Sequence, residues 1–155
     1  MNDQILDSPI TESRELNYAG FWIRAAAVFI DGLIVSAIIG VLAGLGFILM
    51  YSNTNPESVV MLIILIYGVA IIGSVLYYVL MESSAKQGTL GKLAMGIKVG
   101  KQGGERITAL NAFGRLLGRS LSGMILYIGY IMVAFDPKKQ SLHDKLANTY
   151  VFYAK

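Results

Sequence analysis

The chain has 155 residues, 55% of them hydrophobic, with a formal charge of +3, one histidine and no cysteine. That apolar share exceeds the roughly 45–50% of ordinary soluble domains, so a membrane-embedded chain is expected. Disulfides, thiolate metal sites and histidine-rich metal centres are excluded, and the basic residues lie beside apolar runs rather than in one dense patch, which speaks against nucleic acid as a partner.

Residues 1–17 are polar and acidic, unlike the basic leader of a signal peptide, and read as a cytoplasmic tail. Residues 18–155 read as one membrane domain. Tyr18, Phe21 and Trp22 supply an aromatic belt at the first interface. The apolar run from Phe21 to Tyr51 exceeds the roughly 20 residues that cross a bilayer, which predicts a tilted or overlong transmembrane helix. Its ionisable residues before Tyr51 are Arg24 and Asp31. At about 1.5 Å per residue, Asp31 falls ~16 Å along, near the middle of a ~30 Å hydrocarbon layer. A carboxylate there is unfavourable by ~2.5 kcal/mol or more and calls for a partner, a proton or a water-filled cavity. Asp31 is therefore the first candidate site. Arg24 lies two turns earlier on nearly the same face, as a counter-charge or as an anchor that snorkels to the headgroups. Gly32, Ser36, Gly40 and Gly44 recur every four residues and form a small-residue stripe for close helix packing.

The segment SNTNPES ends the first helix, and residues 59–81 form a second, uncharged span. Within it Tyr67 is placed to donate inward, while Tyr77 and Tyr78 read as belt residues. The connecting segment has no Lys or Arg, whereas residues 82–114 carry Lys86, Lys92, Lys98, Lys101 and Arg106. Basic residues accumulate on the cytoplasmic side, so the amino terminus is expected there, in a multi-pass protein of the cell membrane.

Glycines break helical runs across residues 82–107. The segment 95–101 is strand-like and is expected to pair with the β-prone residues 149–153 in a small cytoplasmic β-pairing. GTLGK at 88–92 lacks the spacing and the following hydroxyl of a phosphate loop. The apolar stretch 109–135 contains Arg115 and Arg119, and a basic segment follows it. It reads either as a third span or as a re-entrant pair, with Thr108 capping an amphipathic helix and Gly123 breaking it. Ser141 and Asp144 fit a capping box, and His143 between them stands beside a carboxylate as a candidate proton shuttle. The expected fold is thus an all-α membrane protein with two transmembrane helices plus a third apolar helical segment.

Arg24 and Asp31 in the first span, GTLGKLAMGIKV, the helix bearing Arg115 and Arg119, and the ending DPKKQSLHDKLANTYV together resemble the RDD family of small membrane proteins, named for one arginine and two aspartates. The resemblance matches Arg24 and Asp31 to the first two, and Asp144, or alternatively Asp136, to the last. It implies a bacterial inner-membrane protein with a suspected transport role, including monovalent cation/proton exchange. On the chemistry alone, burial raises the pKa of Asp31 and arginines lower it, and hard cations favour carboxylate oxygens. The expectation is a transporter or transporter subunit moving Na⁺, K⁺ or H⁺ through Asp31, with Arg24, Arg115 or Arg119 as counter-charge. Two or three spans enclose little, so a homo-oligomer is expected. The alternative is a non-transporting assembly or scaffold protein in which the Arg/Asp groups form a structural clasp or a partner site. Nucleophile, base and orienter do not occur together, so neither catalysis nor a cofactor or metal is expected.

Overall fold

The computed structural model describes residues 16–51, 55–124 and 128–154. The acidic tail expected at the amino terminus lies almost entirely outside them, as does part of the turn that joins the two spans. Helix α1 (Phe21–Tyr51) and helix α2 (Pro56–Ser83) form an apolar hairpin. Asn55 caps α2 by accepting from the Glu57 amide at 3.1 Å, and Pro56 fills the first turn, where its missing N–H is no loss. Both helices are long and apolar enough to cross a membrane.

The rest of the chain folds into a cap at the end where α1 begins and α2 finishes. It comprises α3 (Leu90–Ala94), β1 (Ile97–Gly100), α4 (Ala109–Met124), α5 (Ile128–Phe135), α6 (Leu142–Leu146) and β2 (Tyr150–Tyr153). β1 and β2 pair antiparallel with Ile97 opposite Tyr153 and Gly100 opposite Tyr150, as the strand pattern predicts. On its other edge β2 meets the approach to α1: the Ala19 amide donates to Val151 O and the Tyr153 amide to Asn17 O, each at 2.9 Å. Residues 17–19 and 151–153 therefore lie side by side at one end of the molecule.

The segment 109–135 is not one continuous span. Thr108 caps α4 through its hydroxyl, which accepts from the Asn111 amide at 3.2 Å, and α4 then continues through Gly123 to Met124. The expected break at Gly123 is therefore not seen, and residues 125–127 lie outside the described residues. Helix α5 folds back so that Gly129 meets Ser122 of α4, and it packs on α1, α4 and α6. Neither piece is long enough to cross alone.

The buried apolar core belongs to the cap: Ala19, Ala27, Ile97, Val99, Ile107, Ala112 and Val151. Along the hairpin Leu33, Ile38, Val41, Ile64, Ile71 and Leu76 are exposed. The stripe Gly32, Ser36, Gly40 and Gly44 also faces outward, so the α1–α2 contact uses Gly46 instead, where any side chain would collide with Ile66. Tyr67 is 66% exposed rather than turned inward. The first turns of α1 pack against the cap, so Asp31 sits where cap and hairpin meet.

Candidate functional site: a buried charge lattice under the cap

Asp31 is almost wholly buried, and its carboxylate accepts three hydrogen bonds from neutral donors: Tyr77 Oη at 2.8 Å, Thr89 Oγ1 at 2.5 Å and the Gly91 amide at 2.8 Å. Tyr77 Oη accepts in turn from the Leu90 amide at 3.0 Å. Thr89 stands at the N-cap position of α3, yet its hydroxyl serves Asp31 rather than its own helix. Gly91 is required here, because a Cβ would press into the Ala27 carbonyl and the Asp31 carboxylate. GTLGK is therefore a docking loop that seats α3 on both membrane helices.

Arg24 does not turn toward Asp31. Its Nη1 pairs with Asp144 Oδ2 at 2.5 Å, Nη2 donates to Lys139 O at 2.6 Å, and Nε donates to Ala19 O at 3.0 Å. The reason is geometric: three neutral donors already occupy Asp31, while α6 brings Asp144 to the first turn of α1. Asp144 also pairs with Arg115 Nη2 at 2.9 Å. Arg115, 1% exposed, donates from Nη1 to Thr149 Oγ1 at 2.6 Å, and its Nε lies 3.1 Å from Glu82 Oε2. Glu82, at the end of α2, further pairs with Lys92 and Arg119. The Arg119 guanidinium also sits 5.4 Å from the centroid of the Tyr78 ring. A continuous lattice thus runs from α1 through Asp144, Arg115 and Glu82 to α2 and α3.

Burial alone pushes the Asp144 carboxyl up, but Arg115 and Arg24 outweigh it and hold it well below the carboxylate range. Burial, then the Arg119 charge, pushes the Lys92 ammonium down to about 7 against the pull of Glu82. His143 is driven down to about 2, chiefly by burial, and is neutral at physiological pH. Its Nε2 lies 2.9 Å from Ser141 Oγ, while its Nδ1 has no hydrogen-bond partner among the described residues. Ser141 and Asp144 form the expected capping box. Asp136 stays apart at the surface, pairs with Lys145 and accepts from the Lys138 and Gln140 amides.

Of the sequence candidates, the structure brings Arg24, Arg115, Arg119 and Asp144 into one lattice with His143 beside it. Asp31 forms a neighbouring site, Asp136 a surface one, and the glycine stripe belongs to neither. Glu82, Lys92, Tyr77, Thr89 and Gly91 were not singled out. Glu82 carried a signal, since a carboxylate at a helix C-terminus opposes the helix dipole and calls for cations. Tyr77 and Tyr78 both meet the cap, Tyr77 through the Leu90 amide and Tyr78 through the Arg119 guanidinium. Among the described residues no group of His, Asp and Glu is placed to hold a metal ion.

Two apolar helices with a charge-clasped cap define a small integral membrane protein. The RDD family model matches residues 18–148, and the chain belongs to that family. It is similar to three proteins of Bacillus subtilis (strain 168). These are YxaI, 44% identical over 87% of this chain and 97% of its own; the membrane protein YteJ, 33% identical over 89% and 82%; and YckC, 29% identical over 88% and 85%. All three are described as uncharacterized. No solved structure matches.

Proposed function

We propose that this RDD protein is a non-catalytic membrane assembly protein in which the arginine and the two aspartates clasp the cap to the helix pair, with Asp144 as the second aspartate. The observation that carries this reading is the lattice itself: Arg24 and Asp144, 120 positions apart, are joined to each other and through Arg115 to Glu82. The α1–α2 groove beside Asp31 is lined mainly by Ile34, Val35, Ile38, Leu42 and Val69, with Ser74 and Tyr77 supplying hydroxyls and no charged side chain. The outward-facing stripe Gly32, Ser36, Gly40 and Gly44 is suited to a second copy, so the assembling unit is taken as a homo-oligomer in the cell membrane. Both chain ends are taken as cytoplasmic, in keeping with the basic residues of the cap.

Monovalent cation/proton exchange is the second reading, favoured by one observation: Asp31 is a buried carboxylate with no ion-pair partner among the described residues. Vesicles containing a pH-sensitive dye separate the two. The clasp predicts no proton movement driven by Na⁺ or K⁺ gradients, and an Asp31→Asn protein less stable by ~1–3 kcal/mol as one donor loses its acceptor. Gradient-driven proton movement that vanishes in a well-folded Asp31→Asn protein would establish exchange instead.

A further inference from the structure

A cavity of about 560 Å³ lies between the start of α1 and helix α5. Its walls are apolar, from Phe21, Ala25, Val28, Phe29, Ile131 and Val133. Its ionisable lining is one-sided: Arg24, Lys92, Arg115 and Arg119 contribute to it and no carboxylate does. Among the described residues the carboxylates paired with these four cations are Glu82 and Asp144, behind them, which leaves a surplus of two positive charges with Lys92 protonated and of one with it neutral. Counting the nearby Asp31 leaves a surplus of one while Lys92 is protonated. Burying excess like charge is strongly unfavourable unless an anion compensates it.

Two further features point the same way. His143 lines the cavity, and its buried Nδ1 has no hydrogen-bond partner among the described residues; in the tautomer whose Nε2 accepts from Ser141 Oγ, that nitrogen is a donor. The cavity reaches the surface beside two apolar lining residues, Phe29, 67% exposed, and Ile131, 48% exposed. Arg24 to Phe29 form the first turns of the apolar helix α1, on its cap side, and are taken as lying at headgroup level. The volume falls within the ~300–1,000 Å³ of ordinary ligand sites, enough for a head and its first methylenes while the rest of a chain stays in the bilayer.

We propose that this cavity binds an anionic membrane lipid, with the phosphate against Arg24, Arg119 and Lys92 and the acyl chain along Val28, Phe29 and Ile131. The ligand chemistry is a phosphate or carboxylate carried on a hydrocarbon chain, and the bilayer is its source. Bound lipid then supplies the missing negative charge at the joint between cap and hairpin. This goes beyond the clasp and holds whether or not an ion is moved.

The test is purified protein in neutral detergent, with lipid retention measured by native mass spectrometry and unfolding measured by heat. Phosphatidylglycerol is compared with phosphatidylcholine of identical chains, and with glycerol phosphate, which has the head and no chain. The expected result is at least tenfold greater retention of phosphatidylglycerol than of phosphatidylcholine, with a raised melting temperature from the former alone. Equal retention of the two lipids overturns the proposal. So does stabilisation by glycerol phosphate equal to that by the lipid, which would make the ligand a free anion. Arg119→Gln should abolish the preference. Because Arg119 also pairs with Glu82, Ile131→Trp provides a variant that keeps every charge and obstructs the cavity. It should melt like the parent without lipid and lose at least tenfold in phosphatidylglycerol retention; unchanged retention overturns the proposal.

Discussion

The hairpin and the cap are stabilised by opposite means. Along α1 and α2 the buried residues are few, namely Ala27, Asp31, Gly46 and Glu82, and all but Gly46 lie at the cap end. The outward faces carry Leu, Ile and Val, whose favourable environment is lipid rather than protein. The cap is the reverse, with a modest apolar core beside buried Arg115, Lys92, Glu82 and Asp144. Ions taken from water need nearly ideal pairing, so the cap is specified by a few exact partnerships and the hairpin by bulk apolarity. Substitutions should therefore be costly in one region and tolerated in the other.

The largest effect should come from Asp144→Ala. It strands Arg24 and Arg115 together beside α6, and the loss should be about 3–5 kcal/mol in detergent unfolding. An Ile71→Leu change on the exposed face of α2 is the paired control; a comparable loss there would break the contrast between the regions.

A smaller effect concerns acid. His143 faces Tyr130 of α5, Asp144 and Ser141 of its own segment, and the charges of Arg115, Arg119 and Lys92. Its folded pKa of about 2 lies below the ordinary 6.5, so between those values the unfolded chain takes up a proton that the folded one refuses. Stability should therefore fall as pH drops below 6.5, before the Asp144 carboxylate begins to contribute below its ordinary 3.8. Melting temperatures of His143→Gln against pH should be flatter over the first part of that range. An unchanged slope would assign the loss to other groups.

The smallest effect should be at the rim, where Asp136→Asn removes an exposed pair with Lys145 and changes stability by less than about 1 kcal/mol. Thermal unfolding checks this, and a larger loss would extend the lattice to the surface.

Much of this architecture is legible in the chain. Apolar length marks both spans, charge asymmetry marks the polar end of the hairpin, and β-prone segments fifty residues apart find each other. The Ser141–Asp144 capping box is local chemistry and reads directly. What escapes is pairing set by tertiary packing. Nothing near Arg24 says that its carboxylate is Asp144, because helical periodicity points to Asp31, which α3 has already saturated. The contacts that Tyr77 makes with Asp31 and the Leu90 amide likewise depend on α2 running on to meet α3, which its own sequence does not show.

The adjacency of residues 17–19 and 151–153 has a consequence for how the protein is made. Both membrane helices leave the ribosome before any of the cap that satisfies their charges. During insertion Arg24 has no Asp144, Glu82 lacks Lys92, Arg115 and Arg119, and Asp31 waits for Thr89 and Gly91. At that stage Arg24 is a cation still without its carboxylate. It becomes part of the clasp only when α6 has been synthesised and closes against the start of the first helix. A chain interrupted before residue 89 would thus hold both long helices with Arg24, Asp31 and Glu82 lacking every one of these partners.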